Sequence, residues 1–187
     1  MTTILLIRHA LTTVPEEEQT PDSILSEEGI LQAEHLAQRL SQKGPFHIVY
    51  TSFYKRARET SQIIAKFQQA EIREVEVLNE IGVWTSPTQL HAPSKEPEKY
   101  QEELRIIKEA QVKALDFLEK IAKRHKNETI AVVAHGNMIR GIIAQALNAG
   151  VETVVRLRVS NSSISVLEYD DDGDYFRLIL FNDTSHL

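Results

Sequence analysis

Apolar residues of strand type run without interruption from Ile4 to Ile7 and again from Ile130 to Ala134. Runs without polar alternation predict strands buried on both faces, as in a parallel sheet covered by helices. Phe46 to Tyr50 and Glu74 to Leu78 read as two further strands. Helical periods lie between them. Ile30, Ala33, Ala37 and Leu40 predict the buried face of a helix capped by Ser26, with Glu27 and Glu28 in its first turn and Gly44-Pro45 at its end. Thr51-Ser52 predicts the cap of a second helix reaching about Phe67, with Ala57, Ile63, Ile64 and Phe67 inward. A longer helix over Glu98 to His125 carries Leu104, Ile107, Leu115, Leu118, Ile121 and Ala122 on one stripe, and Asn137 to Leu147 forms another. Val154 to Val159, Ser163 to Tyr169 and Tyr175 to Phe181 read as strands, the last two joined at Asp170-Asp171-Asp172-Gly173-Asp174, where Asp-Gly supplies a hairpin turn.

Strands that alternate with helices over the first 147 residues imply right-handed βαβ units. The expected fold is α/β and doubly wound: a mainly parallel sheet flanked by helices, with an antiparallel C-terminal edge hairpin. Neither an internal repeat nor a linker divides residues 1–187, so a single domain is expected. Two stretches break the pattern. One is the polar loop from Leu11 to Leu25, and the other, over residues 79–97, holds Trp84, Pro87, His91 and Pro93. Loops of that length in a compact domain tend to carry function.

Composition narrows the chemistry. The absence of cysteine removes a disulfide scaffold, a thiol nucleophile and a cysteine zinc site. A net charge of −6 argues against binding nucleic acid through a general basic surface, so an anionic substrate must meet a local pocket, for which Arg8, Lys55, Arg56 and Arg58 are available. No apolar run approaches the roughly 20 residues of a membrane span, and Met1 to Ile7 lacks the features of a signal peptide. A cytoplasmic protein without membrane association is expected. His35, His47 and His91 show no ligand spacing, so neither metal nor cofactor is expected.

Both long apolar runs end in histidine. Ile4-Leu5-Leu6-Ile7 leads into Arg8-His9, and Ile130-Ala131-Val132-Val133-Ala134 leads into His135-Gly136. Open α/β sheets bind ligands at the carboxyl ends of their strands, so the two histidines are expected in one site. The dipeptide alone carries no information, because Arg124-His125 repeats it at a helix terminus. Its position after a buried strand does. Gly136 at a helix start permits close approach, a helix N-terminus attracts anions, and Arg8 offers a planar fork to phosphate or carboxylate. The chain has no Lys-bearing phosphate loop, dinucleotide fingerprint, His-Glu-x-x-His or Gly-x-Ser-x-Gly.

Taken together these residues resemble the histidine phosphatase superfamily, whose best-known branch is the cofactor-dependent phosphoglycerate mutases. Arg8-His9-Ala10 is similar to the family's Arg-His-Gly, with alanine in place of glycine. Leu25-Ser26-Glu27-Glu28-Gly29-Ile30-Leu31-Gln32-Ala33 resembles Leu-Thr-x-x-Gly-x-x-Gln-Ala. The segment from Ser52 through Arg56-Ala57 to Thr60 resembles Ser-x-x-x-Arg-Ala-x-x-Thr. Leu78-Asn79-Glu80 looks like the acid-bearing turn, His135-Gly136-Asn137 like the second histidine, and Asn182 to Leu187 like a common ending.

The resemblance implies a phosphoric monoester hydrolase of the histidine acid-phosphatase type. His9 would be the nucleophile, Arg8, Arg56 and His135 would hold the phosphoryl oxygens, and Glu80 would donate and accept the proton. Thr12, Gly136, Asn137, Trp84 and His91 are the candidate substrate contacts. The implied partner is a small phosphorylated metabolite; the oligomeric state is left open, a dimer among the options. The alternatives are a phosphoglycerate mutase, a phosphohistidine protein phosphatase, and a binding protein with a degenerate site. The short span from Glu80 to His135 lacks the long basic insertions of mutases, which favours hydrolysis.

Overall fold

The computed structural model describes residues 1–42, 44–81 and 97–187. Trp84, His91 and most of the 79–97 loop therefore lie outside the described residues. Its elements are β1 (Thr2–Arg8), α1 (Glu27–Ser41), β2 (Ile48–Thr51), α2 (Lys55–Gln68), β3 (Glu71–Glu74), α3 (Pro97–Arg124), β4 (Thr129–Ala134), α4 (Gly136–Ala146), β5 (Ile164–Asp170) and β6 (Tyr175–Asp183). Among the described residues six strands form one sheet in the order β3-β2-β4-β1-β5-β6. The first four strands by sequence run parallel, and β5 and β6 are added antiparallel at one edge. The expected α/β architecture is the one observed.

The uninterrupted apolar runs are explained by burial on both faces. Along β1 and β4, Ile4, Leu6, Ile130 and Val132 point to one side, where Ile107, Leu118 and Ile121 of α3 and Ile139 and Ile143 of α4 meet them. Leu5, Ile7, Ala131 and Val133 point to the other side, against Leu36 and Leu40 of α1 and Ala57 and Ile64 of α2. From Ile4 to Ile7 and from Ile130 to Ala134 both faces are apolar and buried, and the polar residues return at the carboxyl ends, where Arg8, His9 and His135 stand. Each buried aliphatic side chain is worth roughly 1.5–3 kcal/mol, so the site rests on the most strongly held part of the fold.

Several expected details differ. The third strand covers Glu71–Glu74 rather than 74–78, because β2 offers only Ile48–Thr51 as partner and pairs with the earlier residues. Glu76–Leu78 instead forms a 3₁₀ turn that buries Leu78. Val154–Val159 is not a strand: β5 already occupies the edge of β1, and Val151–Arg156 coils into a 3₁₀ turn that buries Val154. Ile30 and Phe67, expected inward, are exposed, whereas Leu36 fills the face of α1. In the β5–β6 turn the positive φ falls on Asp174 (53°), and Gly173 is not the residue that needs it.

The start of α1 acts as a clamp on the loop after His9. Ser26 caps the helix through a bond from Gly29 N–H to its Oγ (3.0 Å), while its own N–H donates to Leu11 O (3.0 Å). The Gln32 Oε1 accepts Leu11 N–H at 3.2 Å, and Ala33 packs on Ala10. Gly29 is required by close approach: a Cβ there would stand 1.9 Å from the carbonyl oxygen of Leu11. In an exposed helix Gly→Ala would stabilise by roughly 1 kcal/mol. Here the clash is with backbone, so Gly29→Ala is expected to cost about 3 kcal/mol or more, in line with the upper range for overpacking. Urea unfolding checks this; a gain in stability would contradict the clamp.

Candidate active site

The register Arg8↔Ala134 between β1 and β4 sets the two strand ends side by side. The backbone N–H of His9 donates to Ala134 O (3.0 Å), and the rings of His9 and His135 lie 5.2 Å apart. Both histidines are almost wholly buried, as are Arg56 and Arg8. This is the topological switch of the sheet, since β1 connects through α1 to β2 on the far side of β4.

The tautomer of His9 follows from its contacts. Nδ1 lies 2.8 Å from the carbonyl oxygen of Ala10, which can only accept, so Nδ1 carries the hydrogen and Nε2 a free lone pair. Nε2 receives the Nε–H of Arg56 at 3.1 Å. Burial, then the adjacent Arg8 and Arg56, hold the pKa of His9 well below the ordinary imidazole value. The carbonyls of His9 and Ala10 are fixed in turn by Asn161 Nδ2 (3.1 and 3.4 Å).

Ala10 in place of glycine is accommodated without strain. It is not among the residues with positive φ. Its methyl packs against Leu25 and Ala33, and its N–H donates to Thr60 Oγ1 (3.1 Å). That N–H is therefore already used within the protein.

The guanidiniums come from two elements. Arg8, at the end of β1, donates through Nη1 to Val159 O (2.7 Å) and pairs through Nη2 with Glu16, while its buried Nε has no partner among the described residues. It lies over Gly136, where a Cβ would stand 3.3 Å from Cζ. Arg56, in the first turn of α2, also donates to Thr20 O (2.9 Å) and faces the Tyr54 ring at 5.1 Å. Burial lowers the pKa of Arg56, yet guanidinium remains charged.

Glu80 caps α4. Its Oε1 accepts from Ile81 N (3.0 Å) and Met138 N (3.1 Å), and its Oε2 from Asn137 N (3.2 Å). The anion position expected at this helix start is thus filled by a carboxylate of the chain itself. Burial pushes the Glu80 pKa up, against the three N–H donors and Arg8, which pull it down. His135 sits 5.1 Å from Tyr54, with Nε2 2.8 Å from Ser52 Oγ; burial, then His9, Arg56 and Arg8, hold its pKa well below the ordinary value.

The structure thus brings together Arg8, His9, Arg56, Glu80, His135, Gly136 and Asn137. It turns the Thr12 hydroxyl elsewhere, donating to Val14 O (2.7 Å) and accepting from Gln19 (2.8 Å). Asn137 Oδ1 accepts from Arg140 Nη2. Ser52, read from the sequence only as a helix cap, and Asn79, Glu16 and Asn161, given no role there, also take part. Ser52 and Asn79 lie inside quoted motifs and were within reach; Glu16 and Asn161 are loop residues with no local signal.

Two buried imidazoles and two guanidiniums at the carboxyl edge of an α/β sheet, with a carboxylate beside them, have the chemistry that suits an oxyanion. Comparison with known proteins gives the family. It belongs to the histidine phosphatase superfamily (branch 1), whose sequence model matches residues 4–184. It is similar to the metal-independent phosphoserine phosphatase of Arabidopsis thaliana, 33% identical over all of this chain and 84% of that protein. Phosphoglycerate mutase-like protein 4 of the same plant is 30% identical over 98% of this chain and 86% of its own length. Among solved structures, YhfR of Bacillus stearothermophilus superposes with a TM-score of 0.82 at 27% identity, covering 100% of this chain and 99% of that one.

Proposed function

We propose that the chain is a phosphatase that hydrolyses small phosphomonoesters through a phosphohistidine on His9. The observation that carries this reading is the state of His9: Nδ1–H is tied to Ala10 O, and Nε2 is a bare nucleophile facing Arg56. Its depressed pKa keeps it ready to attack at neutral pH.

In the first step the Arg56 Nε–H turns from His9 to a phosphoryl oxygen, and Nε2 attacks phosphorus. The N–P bond forms, the ester P–O bond breaks, and Glu80 gives its proton to the leaving oxygen. In the second step Glu80 takes a proton from water, the oxygen attacks phosphorus, and the N–P bond breaks to release phosphate. Arg8, Arg56 and His135 stabilise the charge that collects on the equatorial oxygens, the dominant need of phosphoryl transfer. Residues 1–187 act as a single domain in this reading, and the resemblance to phosphoserine phosphatases points to phosphoserine as the first substrate to try.

Phosphate release is the test. With phosphoserine, 3-phosphoglycerate, sugar phosphates, nucleotides and phosphohistidine offered separately, free phosphate is expected from small phosphomonoesters, phosphoserine foremost. Conversion of 3-phosphoglycerate to its 2-isomer without phosphate release makes the protein a mutase. Release from phosphohistidine alone makes it a protein phosphatase, and no release from any ester overturns the reading.

A further inference from the structure

Nδ1 of His135 is buried and has no hydrogen-bond partner among the described residues. Its other nitrogen, Nε2, lies 2.8 Å from Ser52 Oγ, and Oγ lies 2.8 Å from Asn79 Oδ1. The same Oδ1 receives the backbone N–H of Phe53 at 3.0 Å. A backbone N–H can only donate, so the carboxamide presents its oxygen, not its NH₂, to Ser52. That oxygen has no hydrogen to give, and the hydroxyl proton of Ser52 must go to Asn79. The remaining lone pairs of Oγ accept Tyr54 N–H (3.1 Å) and His135. The hydrogen of a neutral His135 is thereby assigned to Nε2, leaving Nδ1 bare.

We propose that Ser52 and Asn79 are positioning residues that hold His135 as the Nε2–H tautomer, so that it meets a phosphoryl group through Nδ1 and only by taking up a proton there. The proposal rests on reading the pocket as a phosphoryl site. A bare Nδ1 lone pair repels a phosphate oxygen, whereas Nδ1–H donates to it. With a monoanion the proton leaves the phosphate O–H for Nδ1; with a dianion it comes from solvent. One N–H bond forms, one O–H bond breaks, and no bond to phosphorus changes.

The groups facing His135 set the balance. They are Arg8 and His9 at the end of β1 and Tyr54 and Arg56 at the head of α2; at the start of the helix that follows His135, Glu80 and Arg140 are held by Asn137. In the empty pocket burial and the cations oppose protonation, which agrees with the depressed pKa of the ring. A bound phosphate dianion reverses that field. His135 is then a cation only while the pocket is occupied, and the empty site avoids a third buried positive charge beside Arg8 and Arg56.

The ¹⁵N NMR spectrum of histidine-labelled protein tests this, with His135 assigned by difference against His135→Gln and inorganic phosphate as the probe. The empty protein is expected to show Nε2 protonated and Nδ1 bare, and phosphate is expected to move Nδ1 to its protonated position. Titration calorimetry in buffers of different ionisation heat should show proton uptake with phosphate. Asn79→Ala, which frees the hydroxyl to turn toward Nε2, should mix the tautomers and reduce uptake. Ser52→Ala should do the same, and Asn79→Asp should restore the wild-type signature. Nδ1 already protonated in the empty, neutral ring overturns the proposal. So does phosphate binding that leaves Nδ1 bare, or a tautomer unchanged in both Ser52→Ala and Asn79→Ala. These readouts need no turnover, so a protein that hydrolyses nothing yet shows them would sink the proposed function alone.

Discussion

A His9→Ala variant is expected to lose at least about four orders of magnitude in kcat for any phosphomonoester, as removal of a nucleophile does when positioning groups remain. Loss of rate alone would not separate chemistry from collapse of the pocket. The variant should therefore still bind inorganic phosphate, because Arg56 loses a neutral partner and gains freedom to pair with the anion. In the wild type, rapid quenching with a labelled substrate should trap a phosphoprotein that survives alkali and breaks down in acid, as a nitrogen–phosphorus bond does. His9→Ala should trap none. An alkali-labile adduct would instead mean an acyl phosphate and would shift the nucleophile to a carboxylate.

The depressed pKa of His9 makes a further statement about pH. Both His9 and His135 stay neutral in the folded protein at pH values where an unfolded histidine, with its pKa near 6.5, is protonated. Below that value the unfolded chain binds more protons than the folded one. Stability contributed by the two neutral rings is therefore full above about pH 6.5 and is lost as pH falls toward their folded values. His9→Ala should flatten this acid loss, while the cavity it leaves lowers stability at all pH values.

How much of this was legible before any coordinates follows from what each residue depends on. Ile4–Ile7 and Ile130–Ala134 declared themselves because both faces of their strands are buried, and burial on two faces leaves an unbroken apolar run. Their order in the sheet then placed His9 beside His135. Arg56 and Glu80 came from motif resemblance, and periodicity had no hold on them. What the sequence concealed was contact across loops. Glu16 reaches Arg8 from an exposed turn, and Asn161 fastens the carbonyls of His9 and Ala10 from a distant one. The use of the α4 N-terminus also differed: a helix start attracts an anion, but whether that anion is substrate or a side chain depends on which loop passes by. Here Glu80 passes by. The strand misplaced at 74–78 failed for a related reason, since pairing is limited by the length of the partner β2 and not by the strand's own pattern.

Glu80→Gln carries the second large effect, and its two functions pull apart in the measurement. As a helix cap the carboxylate accepts three N–H bonds, and these favour the charged form; burial outweighs them and raises its pKa. Glutamine keeps one acceptor oxygen but turns an NH₂ toward a backbone donor, so some stability is lost through the cap. As a proton donor glutamine has nothing to give. For an alkyl ester such as phosphoserine, kcat is expected to fall about 10²- to 10⁴-fold, the usual worth of a general acid. For an aryl phosphate, whose leaving group needs no proton, phosphorylation of His9 should survive while attack of water slows. The variant should then show a burst of phenolate and an accumulated phosphoprotein. In the wild type, alkyl ester turnover should fall as pH rises through the elevated pKa of Glu80, because the protonated acid is the active form. That limb should vanish in Glu80→Gln. The same elevation means the folded wild type loses stability as pH rises through that pKa, a loss the glutamine variant escapes. A variant that loses less than about tenfold in kcat and keeps its alkaline limb would leave Glu80 as the cap of α4 alone, and the acid would have to be sought elsewhere.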